Sequence, residues 1–291
     1  MKKTKILVTG SKGQLGQAIQ ELAKEQTAVE FIFTDSGVLD ITNKEEVTVF
    51  FDQHVFDYCI NCAAYTQVDQ AEQDRELAYA VNVSGVENLV QNCFKHQVKL
   101  IHISTDYVFD GKRETPYKET DIPNPVNYYG MTKWQGEQEI SKALKDFFII
   151  RTSWLFGKGK NFVQTVLQLA TQNDSIRIVS DQKGNPTYAL DLAGFIIHLI
   201  TGNYTQYGVY HFSNQGTTSW YDFAKEIVGI SKLKANVIKI TTQDFPTLAK
   251  RPVNSSLDLT KTKNNTTYNL RSWQDALSVY LNTPITTKVN R

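Results

Sequence analysis

The chain has 291 residues, of which 41% are hydrophobic and 21% charged, and its net charge is +1 at pH 7. This length exceeds what one compact core usually holds, so we expect a large domain and a smaller one. The sequence has no lysine/arginine cluster typical of nucleic-acid-binding proteins and no apolar run long enough to cross a bilayer, and from MKKTK at its start we expect no signal peptide. We therefore expect a cytoplasmic protein with no nucleic-acid or membrane partner.

Apolar segments alternate with segments of helical periodicity along the first half of the chain. The predicted strands are KILVTG, VEFIFTD, YCINCA, KLIHIST and DFFIIRTSW, at 5–10, 29–35, 58–63, 99–105 and 146–154. The predicted helices cover 14–25, 43–54 (with Thr42 or Asn43 as its cap), 71–96 (one helix or two) and 128–144. Such alternation is typical of parallel sheets covered by helices on both faces. It predicts the α/β class with a doubly wound parallel sheet of the Rossmann type.

The alternation becomes looser beyond Trp154. Helices are predicted at 161–172, 188–201, 220–230 (with Ser219 as its cap) and 273–281, and strands at 175–181 and 208–214. We expect parts of 155–215 to complete the sheet and the remainder to form a smaller C-terminal lobe. The predicted division is a dinucleotide-binding domain over 1–154 and mainly a substrate-binding lobe over 155–291.

The chain contains three cysteines, Cys59, Cys62 and Cys93. The Cys59-x-x-Cys62 spacing occurs in redox and metal-binding pairs. Here both cysteines fall in a predicted strand, where residues three apart point to opposite faces, so the two sulfurs diverge. We therefore predict buried thiols that pack as small apolar side chains.

Three glycines, Gly10, Gly13 and Gly16, stand three residues apart between the first predicted strand and the first helix. Glycine permits a backbone path and a close approach that other side chains block. The start of the helix offers unpaired N–H groups and the positive end of the helix dipole, which suit a pyrophosphate. The spacing departs from the commoner G-x-G-x-x-G, but its place in the first strand-to-helix turn predicts a dinucleotide site.

Asp35 ends the second predicted strand. A carboxylate there accepts hydrogen bonds from an adenosine ribose 2′-OH and repels a 2′-phosphate. Lys12, inside the glycine turn, would instead favour that phosphate. The sequence therefore favours NADH and leaves NADPH open, while the alternative for Asp35 is a turn or cap residue.

Tyr129 and Lys133 are four residues apart on a predicted helix and therefore share one face. We expect the ammonium to lower the pKa of the phenol, so that Tyr129 protonates an oxygen as hydride arrives at a neighbouring carbon. Lys133 could also hold ribose hydroxyls. Tyr128 is a weaker candidate because its side chain points about 100° away from Lys133.

Ser104 and Thr105 follow the fourth predicted strand. Open α/β sheets bind ligands in the crevice outside the carboxyl ends of their strands. A hydroxyl there could polarise a carbonyl shared with Tyr129, and a strand-end cap is the alternative. The glycine turn, the acidic strand end, the hydroxyl and the Tyr/Lys pair together predict a nicotinamide-dependent oxidoreductase.

These motifs resemble the dTDP-4-dehydrorhamnose reductase family, within the extended short-chain dehydrogenases/reductases. The resemblance spans nearly the whole chain. Its segments are GSKGQLG at 10–16, LDIT at 39–42, NCAAYTQVDQAE at 61–72, STDYVFDG at 104–111, YGMTKWQGE at 129–137, RTSWLFG at 151–157, NF at 161–162, DQKGNPTY at 181–188 and KRPVNSSLD at 250–258. The combination of STDYVF, RTSW and RPVNSSL is the most specific part.

The resemblance implies roles for residues at the matching positions. Catalysis would use Tyr129, Lys133 and Thr105. The cofactor would contact Gly10, Gly13, Gln14, Leu15, Gly16, Asp35, Asp40, Ile41, Ala64, Tyr65 and Thr66, together with Tyr129 and Lys133. The substrate would contact Ser104, Thr105, Trp154 and Arg251, with Arg251 at the diphosphate. Core packing is the alternative for Trp154, and a surface position is the alternative for Arg251.

The implied reaction transfers hydride from NADH or NADPH to the C4 ketone of a dTDP-sugar, in the synthesis of dTDP-L-rhamnose for surface polysaccharide. A sugar-nucleotide dehydratase would carry glutamate after Asp106, where this chain has Tyr107. A 4-epimerase or a non-catalytic nucleotide-binding subunit stays open. Some family members dimerise through a cation held by carboxylates, but Ala18, Gln20 and Ala189 offer none. We therefore expect no metal, and a monomer or homodimer.

Overall fold

A computed structural model describes residues 3–283 of the protein. The strands are β1 Thr4–Thr9, β2 Val29–Phe33, β3 Tyr58–Asn61, β4 Lys99–Thr105, β5 Phe147–Thr152, β6 Leu155–Phe156, β7 Ser175–Val179, β8 Lys183–Gly184, β9 Thr187–Tyr188, β10 Gly208–His211, β11 Thr218–Ser219 and β12 Asn236–Ile240. The helices are α1 Gln14–Ala23, α2 Lys44–Gln53, α3 Arg75–Tyr79, α4 Gly85–His96, α5 Tyr128–Ala143, α6 Phe162–Gln172, α7 Ala189–Thr201, α8 Trp220–Ile230, α9 Thr260–Asn265 and α10 Trp273–Asn282. Short 3-10 turns lie at Gln70–Glu72, Asp106–Val108 and Thr242–Asp244, and a π turn lies at Ala80–Ser84.

The main sheet has six strands in the order β10-β5-β4-β3-β1-β2, and all neighbours are parallel. The chain runs outward from β1 to β2 and then returns to the other side of β1 for β3, β4 and β5. The strand order therefore reverses beside β1, which places a crevice at the carboxyl ends of β1 and β3. The predicted doubly wound α/β fold is confirmed.

Each face of the sheet is covered by helices because the strand side chains alternate between two apolar layers. Ile6 and Val8 of β1 pack in one layer with α1 and α7, whereas Leu7 packs in the other with α2 and α4. The cysteine prediction is confirmed in its geometry. Cys59 is buried in the second layer, and Cys62 packs against the first, although Cys62 is only half-buried.

A second core lies beyond the main sheet. It is formed by α6, α8 and α10 around the parallel pair β7–β12, with Phe156 and Phe223 at its centre. The short pairs β6–β9 and β8–β11 connect this lobe to the end of β5. Strand β10 and helix α7, although they come late in the chain, belong to the main sheet and its covering layer.

Most predicted elements are confirmed, with shifted ends. The helix predicted over 14–25 ends at Ala23, and Asn43 rather than Thr42 caps α2 by accepting a hydrogen bond from Glu46 N. The stretch predicted as one or two helices over 71–96 begins with a 3-10 turn and continues from Arg75 to His96 through the π turn. Ser219 caps α8 as predicted. Within residues 3–283, none of the helices combines the length and apolar character that a membrane crossing requires.

Candidate active site

Two adjoining cavities lie at the crevice beside β1. The first, of about 490 Å³, is bounded by the glycine turn, the end of β4, the start of α5 and the segment after β5. The second, of about 570 Å³, lies between the glycine turn and the end of β2. Gly13, Cys62 and Ala64 line both, so the two cavities form one continuous cleft.

Most of the predicted residues meet in this cleft. The first cavity is lined by Gly13, Gln14, Leu15, Gly16, Ala64, Thr66, Ser104, Thr105, Tyr129, Lys133 and Trp154. The second is lined by Gly10, Gly13, Asp35, Asp40, Ile41 and Ala64. Two predicted residues line neither. Tyr65 is buried and donates its hydroxyl to Asp74 Oδ2 over 3.1 Å, and Arg251 lies outside the cleft.

The glycine turn is shaped by close backbone contacts. Gly10 has φ +65°, and a Cβ there would stand 2.5 Å from Ala63 N, so another side chain would strain the turn and push away the segment that follows β3. A Cβ on Gly16 would stand 2.5 Å from Ser11 Cα. Gly13 begins α1 without a side-chain cap, which leaves the first N–H groups of the helix directed at the cleft. Gln14 Oε1 is buried and lacks a hydrogen-bond partner among residues 3–283.

The acidic strand end is held by a cation of the glycine turn. Asp35 accepts hydrogen bonds from Gly37 N at 2.8 Å and from Lys12 Nζ at 2.6 Å, and Lys12 is largely exposed. The Lys12 hydrogen bond, with that from Gly37, lowers the pKa of Asp35. Asp40 accepts from Thr42 N at 2.9 Å. The turn role that was the alternative for Asp35 is therefore present, and its carboxylate also faces the second cavity.

Tyr129 lies in the first turn of α5. Asn127 caps that helix by accepting a hydrogen bond from Gly130 N at 2.8 Å. Burial raises the pKa of Tyr129 to about 12; the Thr105 hydroxyl opposes that shift, and the negative charge of Asp106 adds to it. The expected lowering of this pKa by Lys133 is wrong for this structure, because burial sets the direction of the shift and Lys133 is turned toward β4.

Lys133 is buried and points at the strands below the cleft. Its Nζ donates to Ile103 O at 2.7 Å and lies 3.2 Å from His102 Nε2. Burial lowers the pKa of Lys133 to about 8, and the charge of Glu137 acts in the opposite direction. A further hydrogen bond of 3.1 Å joins His102 Nδ1 to Asn61 on β3, so a line of polar groups runs beneath the cleft.

The hydroxyls after β4 have different partners. Thr105 Oγ1 accepts from Tyr107 N at 3.2 Å and donates to Asp106 Oδ1 at 3.1 Å, beside the Tyr129 phenol. Ser104 donates to Glu137 Oε1, and the other carboxylate oxygen of Glu137, Oε2, is paired with Arg151 at 2.6 Å in a buried ion pair. Both hydroxyls therefore have protein partners, and that of Thr105 lies next to the Tyr129 phenol.

Trp154 forms one wall of the first cavity. Its backbone is in the left-handed region, with φ +44°, and its ring stacks on Trp220 at a centroid distance of 3.4 Å and an angle of 8°. A Cβ on Gly184 would stand 2.5 Å from the ring of Trp154, so this glycine makes room for it. Trp154 thus combines the two roles considered for it, since it packs against the lobe and lines the cavity.

Arg251 forms an ion pair across the rim of the cleft. Its guanidinium donates to both carboxylate oxygens of Asp69, at 3.0 and 2.6 Å, and to Ala249 O at 3.0 Å. This pair fastens the segment after β3 to the segment before α9. Asp69 also accepts from Ala249 N at 2.9 Å, and its pKa is lowered by these hydrogen bonds against the effect of burial.

The model of the RmlD substrate binding domain family matches residues 4–285, nearly the whole chain. The chain belongs to this family. It is 44% identical to dTDP-4-dehydrorhamnose reductase of Aggregatibacter actinomycetemcomitans, over 94% of this chain and 97% of that protein. The crystal structure of a dTDP-4-dehydrorhamnose reductase from Clostridium acetobutylicum is similar with a TM-score of 0.93 and 40% identity, covering 96% of this chain and 98% of that one. The crystal structure of the dTDP-4-dehydrorhamnose reductase from Bacillus anthracis in complex with NADP is similar with a TM-score of 0.91 and 39% identity. The match covers 96% of this chain and 99% of that one.

Sequence reasoning missed several residues that line the cleft of this RmlD-family chain. They are Val68, Asp106, Tyr107, Lys160 and Trp220. Trp220 starts a helix far along the chain, and only the tertiary fold brings it against Trp154. Asp106 and Tyr107 directly follow Thr105, so their position next to a predicted site residue was the available signal.

Proposed function

We propose that the protein reduces the C4 ketone of dTDP-4-dehydro-L-rhamnose to dTDP-L-rhamnose, with NADH or NADPH as hydride donor, in the cytoplasm and for surface polysaccharide synthesis. The observation that carries the proposal is the convergence of the Tyr129 phenol, the Thr105 hydroxyl and the glycine turn on one cleft. The relatives that are named for this reaction support it.

The cleft fits a nicotinamide dinucleotide, which supplies the hydride when it is bound. The open N–H groups at the start of α1 suit its pyrophosphate, and the buried Gln14 Oε1 offers an acceptor to a bound ligand. Asp35 suits a ribose 2′-OH and Lys12 a 2′-phosphate, so the pair accommodates either cofactor. The adenine end would lie against Asp40 and Ile41.

Tyr129 is the proposed acid. Its raised pKa keeps the proton on the phenol oxygen at neutral pH until negative charge develops on the ketone oxygen. By turning its proton from Asp106 Oδ1 to the same oxygen, the Thr105 hydroxyl can stabilise the developing charge. Thr105 is held for this by Tyr107 N, which donates to its oxygen.

Lys133 is proposed to hold ribose hydroxyls, and to support the phenolate that forms when Tyr129 gives up its proton by turning its ammonium from Ile103 O toward that oxygen. A positive charge next to a phenolate stabilises it. The buried imidazole of His102, whose pKa burial lowers far below its usual value, stays neutral beside the ammonium.

The substrate end of the cleft is proposed to involve the smaller lobe. The stacked rings of Trp154 and Trp220 offer a flat apolar surface to the sugar or the base. Arg251 could bind the diphosphate through its remaining N–H groups or by exchanging Asp69 for it. We propose a monomer or homodimer that needs no metal, with residues 1–154 mainly binding the dinucleotide and 155–291 mainly binding the substrate.

The test follows NADH or NADPH oxidation by absorbance after addition of the keto-sugar. We expect one cofactor oxidised per sugar reduced, loss of turnover in Tyr129→Phe, and cofactor affinity close to that of the wild type. Tyr128→Phe is the matched control, because Tyr128 is the neighbouring phenol, outside the cavity lining, with its ring against Arg75. Near-normal turnover of Tyr129→Phe would contradict the acid role.

The same assay separates the rival functions. A 4-epimerase would interconvert sugars without net oxidation of added cofactor. A non-catalytic nucleotide-binding subunit would bind NADPH and leave it unoxidised in the presence of the keto-sugar. Stoichiometric oxidation excludes both.

A further inference from the structure

Three buried polar side chains form a row across the main sheet, directly below the cleft. Thr9 of β1 is the register partner of Asn61 of β3, and Asn61 is the register partner of His102 of β4. Each is no more than 1% exposed, so their polar atoms depend on hydrogen-bond partners inside the protein. This polar row ends at Lys133 of α5, whose Nζ lies 3.2 Å from His102 Nε2.

The orientation of the Asn61 amide is fixed by its neighbours. Ala63 N, a backbone N–H that can only donate, lies 3.1 Å from Asn61 Oδ1, and Thr9 Oγ1 donates to the same oxygen at 2.7 Å. The amide oxygen therefore faces these two donors, and the NH2 group faces His102 Nδ1 at 3.1 Å. An amide NH2 group only donates, so His102 Nδ1 must be the acceptor.

This orientation sets the tautomer of His102. Burial first, and then the charge of Lys133, hold the pKa of His102 well below its usual range, so the ring is neutral and carries one N–H. Because Nδ1 accepts, that proton is on Nε2, the nitrogen that faces Lys133. An ammonium has only donors and would meet another donor there. A neutral Lys133 amine can instead accept from His102 Nε2 while it donates to Ile103 O.

The charged and titratable groups around Lys133 do not reverse this preference. The charge of Glu137, one turn further along α5, favours the ammonium, but that carboxylate is already paired with Arg151. Cys62, on the segment after β3, would favour it only as a thiolate, and burial raises the pKa of that thiol well above its usual range. Burial of Lys133 itself outweighs both and lowers its pKa to about 8. The remaining neighbour, Tyr129, lies on the cleft side.

We propose that His102, held by Asn61 with its proton on Nε2, is a positioning residue that binds Lys133 below the cleft only as the neutral amine and turns the charged form toward Tyr129. The proposal rests on the proposed function, in which the ammonium supports the Tyr129 phenolate. Below the cleft the ammonium faces an N–H, whereas at the cleft it can donate to the phenolate and to ribose hydroxyls. The polar row thus directs the positive charge to the reacting end of the site.

Asn61→Asp tests the proposal because it reverses the polar row with almost no change in shape. A carboxylate has no N–H, so it accepts from His102 Nδ1, and the ring proton is then on Nδ1 instead of Nε2. His102 Nε2 becomes an acceptor that holds the ammonium below the cleft. Nitrogen-15 NMR of the histidine rings shows which nitrogen carries the proton, and His102→Gln identifies the signal by its loss from among five histidines.

We expect the proton on Nε2 in the wild type and on Nδ1 in Asn61→Asp. In the keto-sugar assay, kcat at pH 7 should fall about 10- to 100-fold in the variant, the effect of losing one hydrogen bond to a charged group. The decline of kcat that accompanies deprotonation of Lys133 should move up from about pH 8 by about one pH unit or more, because the new acceptor stabilises the ammonium. Asp106, whose pKa burial raises to about 7, titrates in the same cleft in both proteins, so the comparison removes its contribution.

A proton on Nδ1 in the wild type would overturn the proposal, because His102 would then already accept from the ammonium. A switch of the ring proton in Asn61→Asp that leaves kcat at pH 7 unchanged would overturn it too. So would a loss of kcat without the switch, since added negative charge alone would cause that loss. If Asn61→Asp does not fold, the position of the ring proton in the wild type decides.

Absence of turnover in the wild type would contradict the proposed function and not this inference. Carbon-13 NMR of the lysine side chains, with Lys133→Met to identify the signal, then measures the pKa of Lys133 in the wild type and in Asn61→Asp. We expect a rise of about one pH unit or more in the variant, together with the switch of the ring proton. An unchanged pKa of Lys133 would show that His102 does not select its neutral form.

Discussion

Gly130→Ala tests whether the site depends on the close approach of α5 to the turn that follows β4. Gly130 is buried one residue after Tyr129. A Cβ built on it overlaps the carbonyl oxygen of Tyr107 and stands 2.9 Å from the carbonyl carbon. Both atoms are backbone, so neither can rotate aside, and the helix and the turn must separate.

The magnitude follows from the contact distance. Non-bonded carbons meet at about 3.5–4.0 Å, and the carbonyl oxygen lies closer than the carbon, so the displacement needed is on the order of 1 Å. Alanine normally stabilises a helix by about 1 kcal/mol relative to glycine, whereas forcing extra atoms into a packed contact costs about 1–3 kcal/mol. We expect a net loss of up to about 2 kcal/mol in the free energy of unfolding. A shift of that size between Tyr129 and Thr105 should lower kcat about 10- to 100-fold.

Urea unfolding and NADPH oxidation with the keto-sugar measure the two effects. Gly229→Ala is the matched control, because Gly229 lies in α8 and a Cβ there meets nothing within 4 Å. This control should gain up to about 1 kcal/mol and keep full activity. If Gly130→Ala is as stable and as active as Gly229→Ala, the argument from close packing is refuted.

Four further variants test charges in and below the cleft. Burial raises the pKa of Asp106 from 3.8 to about 7. The folded chain therefore keeps this proton up to a higher pH than the unfolded chain does, and the free energy of unfolding falls as pH rises from about 4 through 7. Asp106→Asn should remove that loss and be more stable than the wild type at pH 8 but not at pH 4, as urea midpoints at the two pH values will show. The Lys12 ammonium attracts a 2′-phosphate, whereas the Asp35 carboxylate repels it. Lys12→Ala should therefore lower the ratio of kcat/KM for NADPH to kcat/KM for NADH, and Asp35→Asn should raise this ratio. Glu137→Gln should cost about 3–5 kcal/mol in urea unfolding, because it leaves the buried Arg151 unpaired.

The sequence predicts the sheet well because buried parallel strands consist of almost continuous apolar residues. Ile6, Leu7 and Val8 of β1 alternate between two helical layers and are all fully buried, so the whole segment is apolar. The glycine turn and the Tyr129/Lys133 spacing were predictable for a similar reason. Each is a local pattern whose geometry is set within a single turn of chain.

Features that depend on tertiary burial were not predictable. The stacking of Trp154 on Trp220 joins two residues that are far apart in the sequence. It also requires a left-handed backbone at Trp154, a conformation that no local sequence pattern favours for tryptophan. The expected effect of Lys133 on the pKa of Tyr129 was wrong because helical spacing gives proximity but not direction. Desolvation and the hydrogen bond to Ile103 O, which follow from packing against β4, decide where the ammonium points.

The placement of Tyr129 and Lys133 therefore follows from two close contacts of α5 rather than from α5 alone. At Gly130 the absence of a Cβ lets the turn after β4 pack directly against α5. At Gly136 it lets Asn82 of the π turn do the same, because a Cβ on Gly136 would overlap the carbonyl oxygen of Asn82. Asn82 in turn donates to Thr132 Oγ1 at 3.1 Å and bonds the backbone of Tyr65 through both atoms of its amide. The π turn, a feature often found at functional sites, thus directs one side chain between α5 and the segment after β3. This linkage fixes α5, and with it the proposed acid, relative to the segment after β3 that forms the floor of the cleft.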